Sequence, residues 1–184
     1  QHDKELAEDE LQNKEKVIGN LSRDAYKDPL TGVGNKTAYI KKTNELNVDI
    51  ENGLDQFAVV MIDINGLKAI NDNYGHSKGD IYIKGCCHIV CEVFKHSPVY
   101  RIGGDEFVVV LTGEDFLIRQ SRLKELRDVF SKSYGNTEAE PWHRYSASAG
   151  MAEYGSNDRT VEFVFQRADK RMYEEKEKFK HMKG

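Results

Sequence analysis

The sequence predicts an α+β domain in which helices lie against the faces of a mainly antiparallel sheet, with one helix appended in front. Three observations carry this. Apolar runs of strand length stand at residues 57–62 and 107–111, and an alternating one at 145–152. The stretches between them repeat apolar residues at helical spacing. Gly103-Gly104 joins the runs at 99–102 and 107–111 as a tight hairpin, a connection open only to antiparallel strands. A length of 184 residues fits one such domain plus a short appendage.

The appendage is residues 1–27. It is dense in Glu, Lys, Asp and Gln, and Leu11, Ile18 and Ala25 stand seven apart with Leu21 between them, so it reads as a helix with a narrow apolar seam. The seam suits pairing with a second copy in a short coiled coil, or a solvated helix packed on its own domain. The domain, residues 28–184, opens where Pro29 disfavours helix at Asp28, and Thr31-Gly32 and Gly34-Asn35 supply turn chemistry. Helix is predicted over 36–47, a buried strand over 57–62 ending at Asp63, and a short helix over 66–73. A glycine loop through Gly75 and Gly79 then leads to a long amphipathic helix over 80–94. Past the hairpin, Phe116, Leu117, Leu123, Leu126, Val129 and Phe130 give residues 114–134 one helical period, and a last helix is predicted over 161–180.

Composition narrows the function classes. A net charge of −4 gives no global field for gripping a polyanion, so nucleic acid is not an expected partner. The three cysteines, Cys86, Cys87 and Cys91, cannot form a disulfide framework and point to a reducing cytoplasm. They read as small buried hydrophobes, with a zinc site using His88 or His96 as the weaker alternative. No run of about 18 apolar residues exists. Because the chain opens at Gln1, it is expected to be the cytoplasmic part of something longer, with a sensor or membrane anchor upstream.

Chemistry gathers at three places. Asp63 ends an apolar strand, and Asp105-Glu106 follow the two glycines of the hairpin. If these strands are neighbours, three carboxylates converge and need a divalent cation, and magnesium takes one or two carboxylates supplemented by substrate phosphates. The competing reading is a polar turn with its acids in water. Gly66-Leu67-Lys68 opens a helix whose unpaired N–H groups favour a phosphate. Further on, the amide of Asn71 and the carboxylate of Asp80, with His76 nearby, match the donors and acceptors of guanine, or else cap helices. Lys176 and Lys180, four apart on the last helix, suit a β,γ-phosphate clamp or a solvated face.

These residues resemble the GGDEF family of diguanylate cyclases. The likeness rests on DPLTGVGNK from Asp28, MIDINGLKAINDNYGHSKGD from Met61, RIGGDEFVVVL from Arg101, SASAGMA from Ser146 and ADKRMYEEK from Ala168. It implies a palm-like fold with a ferredoxin-like βαββαβ core, as in class III nucleotide cyclases. It implies condensation of two GTP into cyclic di-GMP, with magnesium, or manganese in its place, held by Asp63, Asp105, Glu106 and the Ile64 carbonyl. Asp105 and Glu106 would be catalytic. Asn71, His76, Asp80, Gly66, Leu67, Lys68, Gly103, Gly104, Lys176 and Lys180 would bind the substrate. Since each domain holds one GTP, a homodimer is implied, with an upstream sensor acting through the first helix. The alternative is a catalytically silent GTP-binding module regulating a partner domain. Three positions depart from the pattern: Asn65 and Gly66 replace a common aspartate and aromatic, Lys180 replaces an arginine, and Phe94-Lys95-His96-Ser97 replaces the Arg-x-x-Asp of the inhibitory product site, so no product feedback is expected.

Overall fold

The computed structural model of the chain describes residues 2–182, with side chains from residue 6 onward. Gln1, Lys183 and Gly184, assigned above to the ends of the two units, lie outside the described residues. The elements run α1 (His2–Asp24), α2 (Lys36–Glu51), β1 (Ala58–Ile64), α3 (Leu67–Tyr74), α4 (His76–Val93), β2 (Val99–Arg101), β3 (Glu106–Leu111), α5 (Gly113–Leu117), α6 (Arg119–Tyr134), β4 (Ala147–Glu153) and α7 (Val161–Met182). One sheet, ordered β2-β3-β1-β4, is antiparallel throughout, which is the ferredoxin-like arrangement.

Both faces of the sheet are covered, which is why the central strands read as unbroken apolar runs rather than alternating ones. Val60, Ile62 and Ile64 of β1 join Phe107 and Val109 of β3 in a core under α4 and α6. The alternate residues Val59, Met61, Val108 and Val110 face Leu46 of α2 and Val164, Ala168 and Met172 of α7. Cys86 and Cys87 are buried in the first of these cores, as small hydrophobes. Gly150 of β4 lets α7 come down to backbone contact, because a Cβ there would overlap the backbone of Ala168 and Met172.

Neither sheet edge is open. Along β2, the loop after Pro29 is bound by Gly34, whose N–H donates to the Val99 carbonyl (3.1 Å) and whose carbonyl accepts from Arg101 (2.8 Å). Along β4, side chains take the place of a further strand. Arg167 donates to the Glu153 carbonyl (2.7 Å), Arg171 to Met151 (2.6 Å) and Arg127 to Ala149 (3.3 Å), while the Ala149 N–H donates to Glu175 (3.1 Å). Arg167, Arg171 and Glu175 are four apart, so one face of α7 supplies all of this ladder but Arg127, which comes from α6.

Two expectations need correction. The predicted loop through Gly75 and Gly79 shrinks to Gly75 alone, at φ 87, and α4 starts at His76. Gly79 is helical, its missing Cβ leaving room for Asn71, so Asp80 lies in the second turn and is no N-cap. The predicted 114–134 helix breaks at Ile118. The fully buried Asp115, accepting from Ser97 (2.6 Å) and Arg122 (3.3 Å), ties down α5, and Leu117 and Val129 end up exposed despite the shared period. Leu11, Ile18 and Leu21 of α1 are each more than half exposed, so the seam is not packed on its own domain. No helix among the described residues is long and apolar enough to cross a membrane.

Candidate active site

The register of β1 and β3 builds the site. Asp63 lies directly opposite Glu106, and the next residue, Ile64, donates its N–H to the Asp105 carbonyl (2.9 Å). The hairpin turn that precedes Glu106 therefore sits against the end of β1. A Cβ at Gly103 would come 2.6 Å from Glu106 Oε2, so a side chain there would push the Glu106 carboxylate aside. Arg101 fixes the turn from behind. Its guanidinium donates to the Gly104 carbonyl (2.7 and 3.2 Å) and to both oxygens of Asp28 (3.2 Å each). Asp28 in turn accepts from the Thr31 hydroxyl (2.6 Å) and N–H (2.9 Å). Burial pushes the Asp28 carboxyl up, but the Thr31 and Arg101 hydrogen bonds outweigh it and hold the group below its usual range.

Asp63 alternates with Met61 and so points at α7, where Lys176 Nζ meets Asp63 Oδ1 at 2.6 Å. Only 8% of Asp63 is exposed. Burial lifts its carboxyl above the usual range; Lys176 pulls it down, while Asp105 and Asp169 push it up. Glu106 is lifted as well, by burial first and then by Asp63, Asp105 and Asp169. The cluster thus holds more negative charge than one lysine neutralises, and it wants further cations. Asp169 was missed in the sequence. It stands seven residues before Lys176, two helical turns along α7, and that spacing was the signal that could have found it.

Among the described residues, no three His, Cys, Asp or Glu side chains gather tightly enough to hold a metal by themselves. Magnesium does not need that, since it keeps several water or phosphate ligands. Paired carboxylates that repel each other, with the Ile64 carbonyl beside them, are a donor set that fits it.

The nucleoside candidates lie around α3 and α4. Gly66, in the left-handed region at φ 75, opens α3 with no side-chain cap, which leaves its first N–H groups open to an anion. Leu67 packs against the core and Lys68 is exposed. The Asn71 side chain lies on Gly79, one residue from Asp80, and His76 and Asp80 share an exposed face of α4. Lys180 is exposed and bonded to Glu177 (2.8 Å), so of the two lysines the structure brings only Lys176 onto the acids. Asn65 is buried and structural. Its amide donates to Ser146 Oγ (3.1 Å) and accepts from Ser148 (3.0 Å), locking β1 to β4 with one donor and one acceptor, which a carboxylate does not offer.

An antiparallel sheet in this order, with acids at one end of its two central strands, is the palm-like nucleotide cyclase fold. The family model described as diguanylate cyclase, GGDEF domain, matches residues 25–182. The chain belongs to that family. It is 32% identical over 159 residues to the diguanylate cyclase DgcS of Shewanella oneidensis, covering 85% of this chain and 51% of that protein. It is 29% identical over 163 residues to the probable diguanylate cyclase DgcE of Escherichia coli, covering 88% of this chain and 15% of that one. The chain therefore spans about half of the first relative's length and about a seventh of the second's. In fold it is similar to the crystal structure of the coiled coil and GGDEF domain of DgcB from Caulobacter crescentus in complex with c-di-GMP. That match has a TM-score of 0.79 at 24% identity and covers 91% of this chain and 88% of that one.

Proposed function

We infer that residues 28–184 form a diguanylate cyclase domain, which condenses two GTP into cyclic di-GMP and two pyrophosphates, and that residues 1–27 form the signalling helix that pairs two such domains. The observation that carries this is the register that sets Asp63 opposite Glu106, with Asp105 in the same turn.

In this reading, Asp63, Asp105, Glu106 and the Ile64 carbonyl would hold magnesium, or manganese in its place, which would supply charge neutralisation for the triphosphate and acidify the attacking 3′-hydroxyl. The N–H groups after Gly66, with Leu67 and Lys68, line the phosphates. Gly103 and Gly104 let the hairpin backbone approach them closely, and Lys176 and Lys180 neutralise the outer ones. Asn71, His76 and Asp80 hold the guanine, Asp80 by accepting from its N1–H and amino group, a pair adenine lacks. The attack is in line, by the 3′-hydroxyl of the GTP on one domain at the α-phosphorus on the other, so two copies must face each other. The exposed seam of α1 supports pairing, and the similar DgcB structure also includes a coiled coil. An upstream sensor would act through the same helix. The intact Gly103–Phe107 run favours catalysis over a silent GTP-binding module.

The test is direct. Incubated with GTP and magnesium at high protein concentration, the chain gives cyclic di-GMP by chromatography, and Asp105→Ala lowers the rate at least ~100-fold. GTP binding without any dinucleotide would instead establish the silent module.

A further inference from the structure

We propose that Lys176 is a built-in counter-ion that occupies the cation position at Asp63 and gives it up only to an arriving triphosphate, so that metal and nucleotide enter together. This rests on the cyclase reading of the site. Three observations converge. The ammonium lies 2.6 Å from Asp63 Oδ1, a charge-assisted contact. Asp63 is nearly buried and feels the like charges of Asp105 and Asp169, so it would be costly to leave without a cation. Lys180 also feels Asp63, yet its ammonium is committed to Glu177, so Lys176 alone makes the contact among the described residues.

An ammonium and a divalent ion compete for the same oxygen. When metal comes alone, it must displace Lys176 from Asp63, leaving it only neighbouring carboxylates such as Glu106, which the metal also attracts. When it comes with a triphosphate, the flexible stem of Lys176 has a polyanion to turn to. The metal then gains Asp63 and the lysine gains phosphate. Such coupling is reciprocal: nucleotide tightens metal as much as metal tightens nucleotide.

Protein-bound manganese is measured by electron paramagnetic resonance for the 184-residue chain, Lys176→Met and Lys180→Met, with and without a non-hydrolysable GTP analogue. Without nucleotide, Lys176→Met binds manganese at least about tenfold tighter than the wild type, and Lys180→Met stays within about twofold. In the wild type, the Lys176 side-chain nitrogen resonance holds its position under magnesium alone and moves when magnesium and analogue are present together, a readout that needs no variant. Equal affinity of the wild type and Lys176→Met without nucleotide overturns the proposal, as does equal tightening by Lys180→Met, which would mean mere loss of positive charge. Movement of the resonance under magnesium alone overturns it too. If no protein binds manganese even with the analogue, the cyclase reading itself falls. If the analogue brings manganese in but Lys176→Met behaves as wild type without it, only the counter-ion falls.

Discussion

Asp63, Asp105 and Glu106 were legible because each acid sits next to an apolar strand or a glycine pair, a pattern that marks a strand end without any structure. What the sequence could not supply was their partners. Lys176 is 113 residues from Asp63, and no spacing rule links them. Asn71 and Asp80 were picked for their hydrogen-bonding chemistry, but the reason Asn71 stays in place is Gly79, which read as part of a loop. That contact makes a prediction. In Gly79→Ala the new methyl displaces the Asn71 side chain, a flexible group, so the domain stays folded while KM for GTP rises about tenfold with little change in kcat, because one hydrogen bond to the base is worth roughly 1.5 kcal/mol. Steady-state kinetics beside a urea melt checks both halves.

At the scale of elements, strands were easier to place than helix boundaries. Buried strands announce themselves by continuous apolar runs, whereas the start of α4 and the break between α5 and α6 depend on tertiary contacts, the packing of Asn71 on Gly79 and the burial of Asp115. The junction of β4 and α7 is equally invisible in sequence and carries two predictions. Gly150→Ala pushes a methyl into the backbone of α7, which cannot yield as a side chain can, and lowers stability by ~3 kcal/mol in urea unfolding. The second concerns Asp158, which is buried against Arg167 and accepts from its Nη2 at 2.7 Å. Arg167 lowers its carboxyl against the opposing effect of burial, with the Gly155 N–H assisting. A folded value below the unfolded 3.8 means that the stabilisation is complete above 3.8 and is lost as pH falls through the folded value. Unfolding free energy should therefore drop more steeply below pH ~4 in the wild type than in Arg167→Met.

For the whole molecule, the proposed dimer raises the question of how two copies would meet. The seam of α1 was visible as a seven-residue spacing, and its residues Leu11, Ile18 and Leu21 are exposed in the structure. Turnover per molecule should rise with protein concentration, and Ile18→Glu, which buries a charge in the pair, should shift the half-maximal concentration upward by about tenfold or more. Sedimentation equilibrium on the same proteins would show no change in association if α1 plays no part. The guanidinium groups along β4 bear on the same question from another side. An open strand edge is a template on which another chain can pair. The outward carbonyls of Ala149, Met151 and Glu153 are already claimed by arginines of the same chain, so a neighbouring strand finds fewer acceptors to pair with. Edge-to-edge clumping is disfavoured there, which leaves association to other surfaces.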